Sequence, residues 1–219
     1  MNITDYIVKE IPPFTLKNTV KKAQKVFKNH PISHFMVIQD AKLLGSFANE
    51  DIQIIEDKED TLASFSHLLN LFFTTKKATV LELLKAFADN DTTIVPVIND
   101  QKNYIGYYDL RDVLHVFSNS PFLLEESETI IVQKVESDYS MSEVAQIVEV
   151  NGVKLLGAYV SKKTIDFIEI TLKIASSEIN EVIQTFRRYN YKVISNHKDD
   201  MYLEDLKSRS DYLQKYLEM

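Results

Sequence analysis

The chain has 219 residues, of which 45% are hydrophobic and 26% charged, a composition that can bury a core and fill two small domains. It contains no cysteine, which excludes disulfides, thiolate zinc sites and cysteine nucleophiles. The net charge of -7 and the pI near 5.3 argue against nucleic acid as a partner, because phosphate binding needs a concentrated basic surface.

The start of the chain and its apolar runs indicate where the protein resides. No basic, apolar leader opens the sequence, and apolar runs such as 68–73 are far shorter than a membrane span. We therefore expect a cytoplasmic protein with no membrane partner.

The four glycines are too far apart for a Walker loop or a dinucleotide fingerprint, so a nucleotide would be held in another way.

An internal repeat dominates the first half of the chain. A shift of 60 residues aligns matching residues, and one insertion near Asn103 makes the offset 61 beyond that point. In each copy a glycine then lies six residues before an aspartate. The matching pairs are Thr15/Thr75, Lys17/Lys77, Thr19/Thr79, Val20/Val80, Lys25/Lys85, Phe27/Phe87, Val37/Val97, Ile38/Ile98, Asp40/Asp100, Gly45/Gly106 and Asp51/Asp112.

Each copy has the pattern helix, strand, turn, strand, helix. Apolar residues at helical spacing and short β-rich runs predict these elements. Copy one has a helix over 19–28, strands over 34–38 and 43–47 and a helix from Asn49, and copy two has a helix over 80–88, strands over 93–98 and 104–108 and a helix over 109–117. One copy cannot cover both faces of so small a sheet, so we expect the two to pair.

The repeats set the predicted domain boundaries. We expect a first domain over 1–120, with copy one at about 3–57 and copy two at about 73–118. Between them, the charged run 56–60 is read as a solvated linker that leads into an apolar linker helix at about 60–72.

The stretch 94–100, IVPVIND, followed by 104–113, YIGYYDLRDV, resembles the second CBS domain of a tandem CBS pair, or Bateman module. The resemblance covers about residues 3–118. It implies an α/β tandem CBS pair in a non-catalytic regulatory protein that forms a homodimer.

The resemblance also implies a ligand, an adenosine nucleotide such as AMP, ADP, ATP or S-adenosylmethionine, in the cleft between the copies. In the family a Gly-x-x-Ser/Thr-x-x-Asp stretch contacts phosphate and ribose. Both aspartates match here, whereas the hydroxyl position is Ala48 in copy one and Asp109 in copy two. The candidate ligand-binding residues are thus Thr15, Ala48, Asp51, Thr75, Pro96, Asp109 and Asp112.

The departures at Ala48 and Asp109 affect what could bind. A helix N-terminus attracts phosphate through free N–H groups and its dipole. We expect Asp109 to cap its own helix by accepting from the N2 or N3 amide and, with Asp112, to repel phosphate. Ala48 offers neither a cap nor a donor. Three alternatives therefore stay open: a nucleotide ligand, a different small ligand, or a ligand-free dimeric scaffold or interaction protein. In the third case Asp51 and Asp112 only interact favourably with the helix dipole.

The second half predicts a ferredoxin-like unit over 121–198, after a turn-rich break at 118–121. The predicted elements are a strand over 129–135, a helix after the capping box 140–143, strands over 153–161 and 166–175, a helix from Ser177 and a strand over 191–195. This βαββαβ order is the plan of an α+β ferredoxin-like domain.

The βαββαβ unit resembles an ACT domain, a module that often binds an amino acid at a subunit interface. The glycine that such sites use after the first strand is missing from 137–140, so we expect pairing by sheet edge or helix face instead. A CBS pair followed by an ACT-like unit resembles the acetoin-utilisation accessory proteins of bacteria.

The remaining features do not assemble into a catalytic site. His30 and His34 have the spacing of helical metal ligands, but Pro31 lies between them, outside the helix that ends near Lys28. The glutamates of 125–128 are predicted to lie in a solvated loop. We expect no catalytic residues, no metal, and a protein target that the sequence leaves unknown. The leucines of 199–219 predict a C-terminal amphipathic helix.

Overall fold

The structure, a computed structural model, describes residues 3–175 and 179–195. It divides into two compact units, Met1–Asn119 and Ser120–Met219. The amphipathic helix predicted over 199–219 lies outside the described residues, as does Ser177, where the last helix was predicted to begin.

The first unit contains the two copies as the same series of elements. Copy one has α1 (Val20–Asn29), β1 (His34–Gln39), β2 (Lys42–Ala48) and α2 (Asn49–Gln53), and copy two has β3 (Thr74–Thr75), α3 (Val80–Asp89), β4 (Ile94–Ile98), β5 (Tyr104–Asp109) and α4 (Leu110–Ser118). In each copy the two main strands pair in an antiparallel hairpin. A parallel partner lies beside the first of them, at Phe14 in copy one and in β3 in copy two. The repeated pattern predicted from the sequence is confirmed.

The first helix of each copy begins at a threonine cap. The Thr19 and Thr79 side chains accept from the backbone N–H groups of Lys22 and Glu82, respectively. The Glu82 carboxylate accepts in return from the Thr79 backbone N–H at 2.7 Å, which completes a capping box. Both helices therefore start at the same position of the repeat.

The linker helix expected over 60–72 is replaced by a shorter, kinked element. Leu62–Leu68 forms 3-10 turns broken by a non-helical Phe65, and the chain is extended at Leu69. The first backbone N–H groups bond elsewhere, because Leu62 N donates to Asn18 O at 2.9 Å and Ala63 N donates to Leu16 O at 3.0 Å. These bonds to copy one fix the linker against the repeat.

The segment that leads into each copy's first helix pairs with the hairpin of the other copy. Ahead of α1, Val8 exchanges two backbone hydrogen bonds with Tyr107 of β5, at 2.9 and 3.0 Å. Ahead of copy two, Asn70 exchanges two with Ser46 of β2, at 2.8 and 3.0 Å. We call this arrangement the reciprocal exchange.

Gly106 makes one half of the reciprocal exchange possible. Its φ is +144°, a region that side chains rarely adopt, and a Cβ there would lie 2.6 Å from Val8 O and 2.6 Å from Ile7 Cγ2. The glycine that recurs in the repeat therefore admits the backbone of the crossing segment.

An internal pseudo-twofold relation is visible at Ser33 and Thr93. Ser33 N donates to Thr93 Oγ1 at 2.9 Å, and Thr93 N donates to Ser33 Oγ at 2.8 Å. The two residues are 60 apart, which equals the repeat offset. Their carbonyls accept from equivalent residues at the helix starts, from Asn49 at 2.7 Å and from Leu110 at 2.9 Å. The two copies thus face each other here with matching contacts.

The core of the first unit joins both copies. One cluster surrounds Phe35 and includes Ile94 and Tyr107 from copy two. The other contains the fully buried Tyr108 and takes in Ile3 from the N-terminal segment. The first cluster is centred on copy one and the second on copy two, and each is completed by residues from elsewhere in the unit. Each copy therefore needs the rest of the unit to bury its apolar surface.

The second unit is a four-stranded antiparallel sheet with two long helices. Its elements are α5 (Pro121–Leu124), β6 (Ser127–Val135), α6 (Met141–Val150), β7 (Leu155–Lys163), β8 (Phe167–Ala175), α7 (Ile179–Arg188) and β9 (Lys192–Val193). The strand order β7-β8-β6-β9, with β6 and β8 in the centre, is the ferredoxin-like order, and that prediction is confirmed. Alternate residues of β8 are buried, as predicted, from Ile168 to Ile174.

A half-buried polar cluster links β6, α6 and the residue before β9. Lys134 Nζ lies 2.6 Å from Glu143 Oε2, and the Tyr191 hydroxyl donates to the same oxygen at 2.7 Å. The ammonium of Lys134 also lies 4.2 Å from the centre of the Tyr191 ring. Hydrogen bonding from Lys134, its charge and the Tyr191 hydroxyl lower the pKa of Glu143, although partial burial opposes them.

Candidate functional site

A cleft lies where the start of α2 in copy one faces α3 and the loop before β4 in copy two. It consists of two adjoining cavities of about 580 and 390 Å³ that share four lining residues, His34, Ala48, Glu50 and Asp91. We call it the copy-one cleft. Ser33, Asn49, Phe87, Ala88, Thr92, Thr93 and Leu110 complete the larger cavity, and Asp51, Asn70, Phe72, Asp89 and Asn90 complete the smaller one.

Two of the seven candidate residues from the sequence lie in this cleft. Ala48 borders both cavities and Asp51 borders the smaller one. Thr15 borders a separate cavity of about 390 Å³, formed with Lys17 and Asp40 among others. The motif residues of copy one are therefore together, whereas the threonine that begins the repeat is elsewhere.

Three other candidates, Thr75, Pro96 and Asp112, are not among the residues that line the cleft. Thr75 is exposed in β3, and its Oγ1 accepts from Lys77 N at 3.3 Å. Pro96 is buried in β4, opposite Tyr107 of β5. Asp112 is half-buried in the first turn of α4.

The two residues at the hydroxyl position behave as the sequence predicts. Asp109 is the N-cap of α4, and its Oδ1 accepts from Arg111 N, the N2 amide, at 2.8 Å. Ala48 is the N-cap of α2 and makes no side-chain cap. Asp109 thus uses its carboxylate on its own helix, and Ala48 leaves a small, apolar wall in the cleft.

The copy-one cleft is strongly acidic. Glu50, Asp51, Asp89 and Asp91 border it, and among the described residues that line it there is no lysine or arginine. Asp89 is paired with Lys85, at 2.8 Å, on the exposed side of α3. The charge facing the cavities is therefore negative.

His34 lines the cleft but is absent from the candidates of the sequence analysis, where its spacing from His30 suggested only a helical metal pair, which Pro31 argues against. Its side chain is buried, with 7% of the residue exposed, and its Nδ1 lies 2.9 Å from Ser33 Oγ. The ring meets Phe72 edge-on, with centroids 5.4 Å apart. Burial lowers the pKa of His34, although the charges of Asp51, Glu50 and Asp91 oppose the shift. The available signal was the repeat itself, since copy two has Ile94 at this position.

The repeat offset places different charges at the corresponding positions of copy two. Arg111 corresponds to Glu50, and Pro31 of copy one corresponds to Asp91 of copy two. The aspartate of the motif is kept, as Asp51 and Asp112. The two halves of the pair are therefore alike in backbone contacts and unlike in the charge they would present to a ligand.

Comparison with known families supports the sequence resemblance. Residues 69–119 match the family model of the CBS domain. Copy one repeats the topology of this matched segment, so the first unit has the fold of a tandem CBS pair and is followed by the ferredoxin-like unit.

Individual relatives are distant. An uncharacterized protein of Methanocaldococcus jannaschii is 22% identical over 156 residues, which are 70% of this chain, and the chain spans 58% of that protein's length. A CBS domain pair/ACT domain protein from Thermotoga maritima is 17% identical, with a TM-score of 0.48 over 53% of this chain and 96% of that one. The CBS domains of a transcriptional regulator from Streptococcus pneumoniae are 18% identical, with a TM-score of 0.46 over 52% of this chain and 98% of that one.

The described residues also bear on metal binding and membrane insertion. Within 3–175 and 179–195, no group of three or more histidine, aspartate or glutamate side chains is placed to hold a metal ion. No helix in the same ranges is long and apolar enough to cross a membrane. The copy-one cleft offers a cavity, carboxylate charges and hydrogen-bonding side chains, which suit reversible binding of a small molecule.

Proposed function

We propose that this chain is a non-catalytic regulatory protein of the cytoplasm, a homodimer whose CBS pair binds an adenosine-containing small molecule in the copy-one cleft. Ligand occupancy would then be transmitted through the dimer to a protein target. The observation that carries the proposal is the cleft itself, about 580 Å³ in its larger part, which residues of both copies line. A ligand there contacts both copies at once, so binding favours one relative arrangement of the two.

The position of the cleft within the repeat supports the same function. Ala48 and Asp51 belong to the stretch that contacts adenosine ligands in the family that the chain resembles, and both border the cleft. Phe72 and Phe87 add apolar walls, and Ser33, Thr92 and Thr93 add hydroxyl groups. Apolar walls that bury part of a ligand, beside polar groups that orient it, are typical of small-molecule sites.

A thermal-shift panel on the full chain tests the proposal. The panel contains adenosine, AMP, ADP, ATP, S-adenosylmethionine and S-adenosylhomocysteine. A ligand at a concentration 100 times its Kd stabilises the folded state by about 2.7 kcal/mol, which raises the Tm by several degrees. If no compound in the panel moves the Tm, the proposed function is wrong.

A blocking variant locates the binding. Ala88 lies on α3, borders the larger cavity and is exposed, so Ala88→Trp fills the cavity without disturbing the core. Leu81→Trp is the matched control, because Leu81 is 68% exposed on the same helix and lies outside the cleft. We expect Ala88→Trp to abolish the thermal shift and Leu81→Trp to keep it.

A second candidate function, a ligand-free dimeric scaffold, is favoured by Asp109. At the position where the family motif has a hydroxyl, Asp109 has a carboxylate, which accepts but does not donate and which already caps α4. For the second unit, we propose that it is an ACT-like domain that contributes to dimer contacts through its sheet edge or a helix face. Light scattering of the full chain measures the dimer, and a flat ligand panel from a stable dimer would favour the scaffold.

A further inference from the structure

The acidic cleft carries information about the charge of its ligand. Glu50 and Asp91 border both of its cavities, one from each copy, and both residues are exposed. Asp51 stands beside them in the smaller cavity. A phosphate that entered here would meet like charges from two sides.

The buried histidine is a second, independent feature of the same cavities. His34 is more than nine-tenths buried and borders both of them. Its Nδ1 is bonded to Ser33, whereas its Nε2 has no hydrogen-bond partner among the described residues. A ring nitrogen without a protein partner, on a residue that borders a cavity, is a group to which a ligand can bond. The adjacent Phe72 ring supplies an aromatic surface, which attracts cations as well as apolar groups.

Copy two shows that these features are not demanded by the fold. Ile94 takes the place of His34 in the repeat and is fully buried, and Arg111 takes the place of Glu50. The backbone contacts around Ser33 and Thr93 are the same in both copies. The histidine and the glutamate are therefore additions to a structure that is built equally well without them.

We propose that the copy-one cleft selects an adenosine derivative that carries a positive charge and rejects phosphorylated ones. This rests on the proposed function, which assigns the adenosine ligand, and adds the charge of the ligand. The carboxylates of Glu50, Asp51 and Asp91 attract the cationic group, and His34 Nε2 with Phe72 holds the uncharged part.

Two probes that differ in a single charge test the inference on the wild-type chain. S-adenosylmethionine carries a sulfonium cation, and S-adenosylhomocysteine is the same molecule without the methyl group and that charge. By isothermal titration calorimetry we expect S-adenosylmethionine to bind about 5- to 10-fold more tightly at low salt, and AMP and ATP to bind more weakly than either. Raising the salt to about 0.5 M shortens the screening length and should shrink this ratio.

A double variant shows whether the carboxylates set the preference. Glu50→Gln with Asp91→Asn removes two charges at similar size, and asparagine suits the positive φ of 44° at position 91. We expect it to bring the two probes within about twofold of each other and to improve AMP binding. Arg111→Gln, at the position of copy two that matches Glu50, is the control and should leave the ratio unchanged.

The outcomes separate the inference from the proposed function. If AMP or ATP binds more tightly than S-adenosylmethionine, or if the two probes bind equally to wild type, the inference is wrong and the adenosine site stands. An unchanged ratio in the folded double variant likewise overturns the role of the carboxylates. If no adenosine compound binds at all, the proposed function falls, and the inference falls with it.

Discussion

The replacement of Gly106 by alanine probes the reciprocal exchange directly. The new Cβ would lie 2.6 Å from the carbonyl oxygen of Val8, closer than real Cβ contacts come. It would also occupy a backbone conformation, φ +144°, that only glycine adopts readily. The crossing segment must then move away from β5, and the two hydrogen bonds between Val8 and Tyr107 lengthen or break.

The magnitude follows from these two contributions. A residue held in this region costs about 1–3 kcal/mol, and an overpacked contact costs a further 1–3 kcal/mol, so we expect Gly106→Ala to lower the free energy of unfolding by about 2–6 kcal/mol. Gly45→Ala is the matched control in copy one. Gly45 has a similar φ of +156°, but its Cβ would lie 3.1 Å from Asn70 O, which leaves more room. The free energy of unfolding should therefore fall by about 1–2 kcal/mol less in Gly45→Ala than in Gly106→Ala.

Urea titration followed by circular dichroism measures both variants, since the shift of the midpoint reports the change in stability. Hydrogen exchange adds a local readout, because the amides of Val8 and Tyr107 should exchange faster in Gly106→Ala than in wild type. A Gly106→Ala protein as stable as Gly45→Ala, or one whose Val8 amide is protected as in wild type, would refute this account of the glycine.

Three further predictions concern single side chains. Glu143→Gln should lower the free energy of unfolding by about 1.5 kcal/mol at pH 7, because it removes the charged partner of Lys134. Folding lowers the pKa of Glu143, so this loss should shrink as the pH falls through the pKa of the folded state. Urea titrations at pH 7 and pH 3 measure the difference. Burial lowers the pKa of His34, so protonation in the unfolded state should destabilise wild type as the pH falls below about 6.5, and in a pH series of melting curves His34→Ile should lack this loss. Thr79→Ala should cost about 1 kcal/mol by removing a helix cap, whereas Thr61→Ala, at a cap without a side-chain bond, should cost little in the same urea assay.

The helices and strands of the repeat could be predicted because the same residue pattern occurs in both copies. A helix that begins at Thr19 and again at Thr79, 60 residues later, is supported by two independent patterns. The Asp109 cap was predictable for a local reason, since its partner is the amide two residues later. Alternation in β8 likewise depends only on neighbouring residues.

Other features depend on residues far apart in the sequence. The linker is kinked because its backbone bonds to residues 16–18, more than 40 positions earlier, and no local pattern encodes that. His34 lies in the cleft because copy two covers it, so its burial and its lowered pKa follow from the pairing of the copies. The acidity of the cleft has the same origin, since Glu50 and Asp91 come from different copies.

The reciprocal exchange has a consequence for how such a pair assembles. If the two copies were separate molecules, each with its own leading segment, the bonds that Val8 and Asn70 now make would run between chains, as in a domain-swapped dimer. Joining the copies by residues 58–73 replaces the second molecule with a tethered partner at high effective concentration. Formation of the pair thereby becomes a first-order folding step that dilution does not reverse.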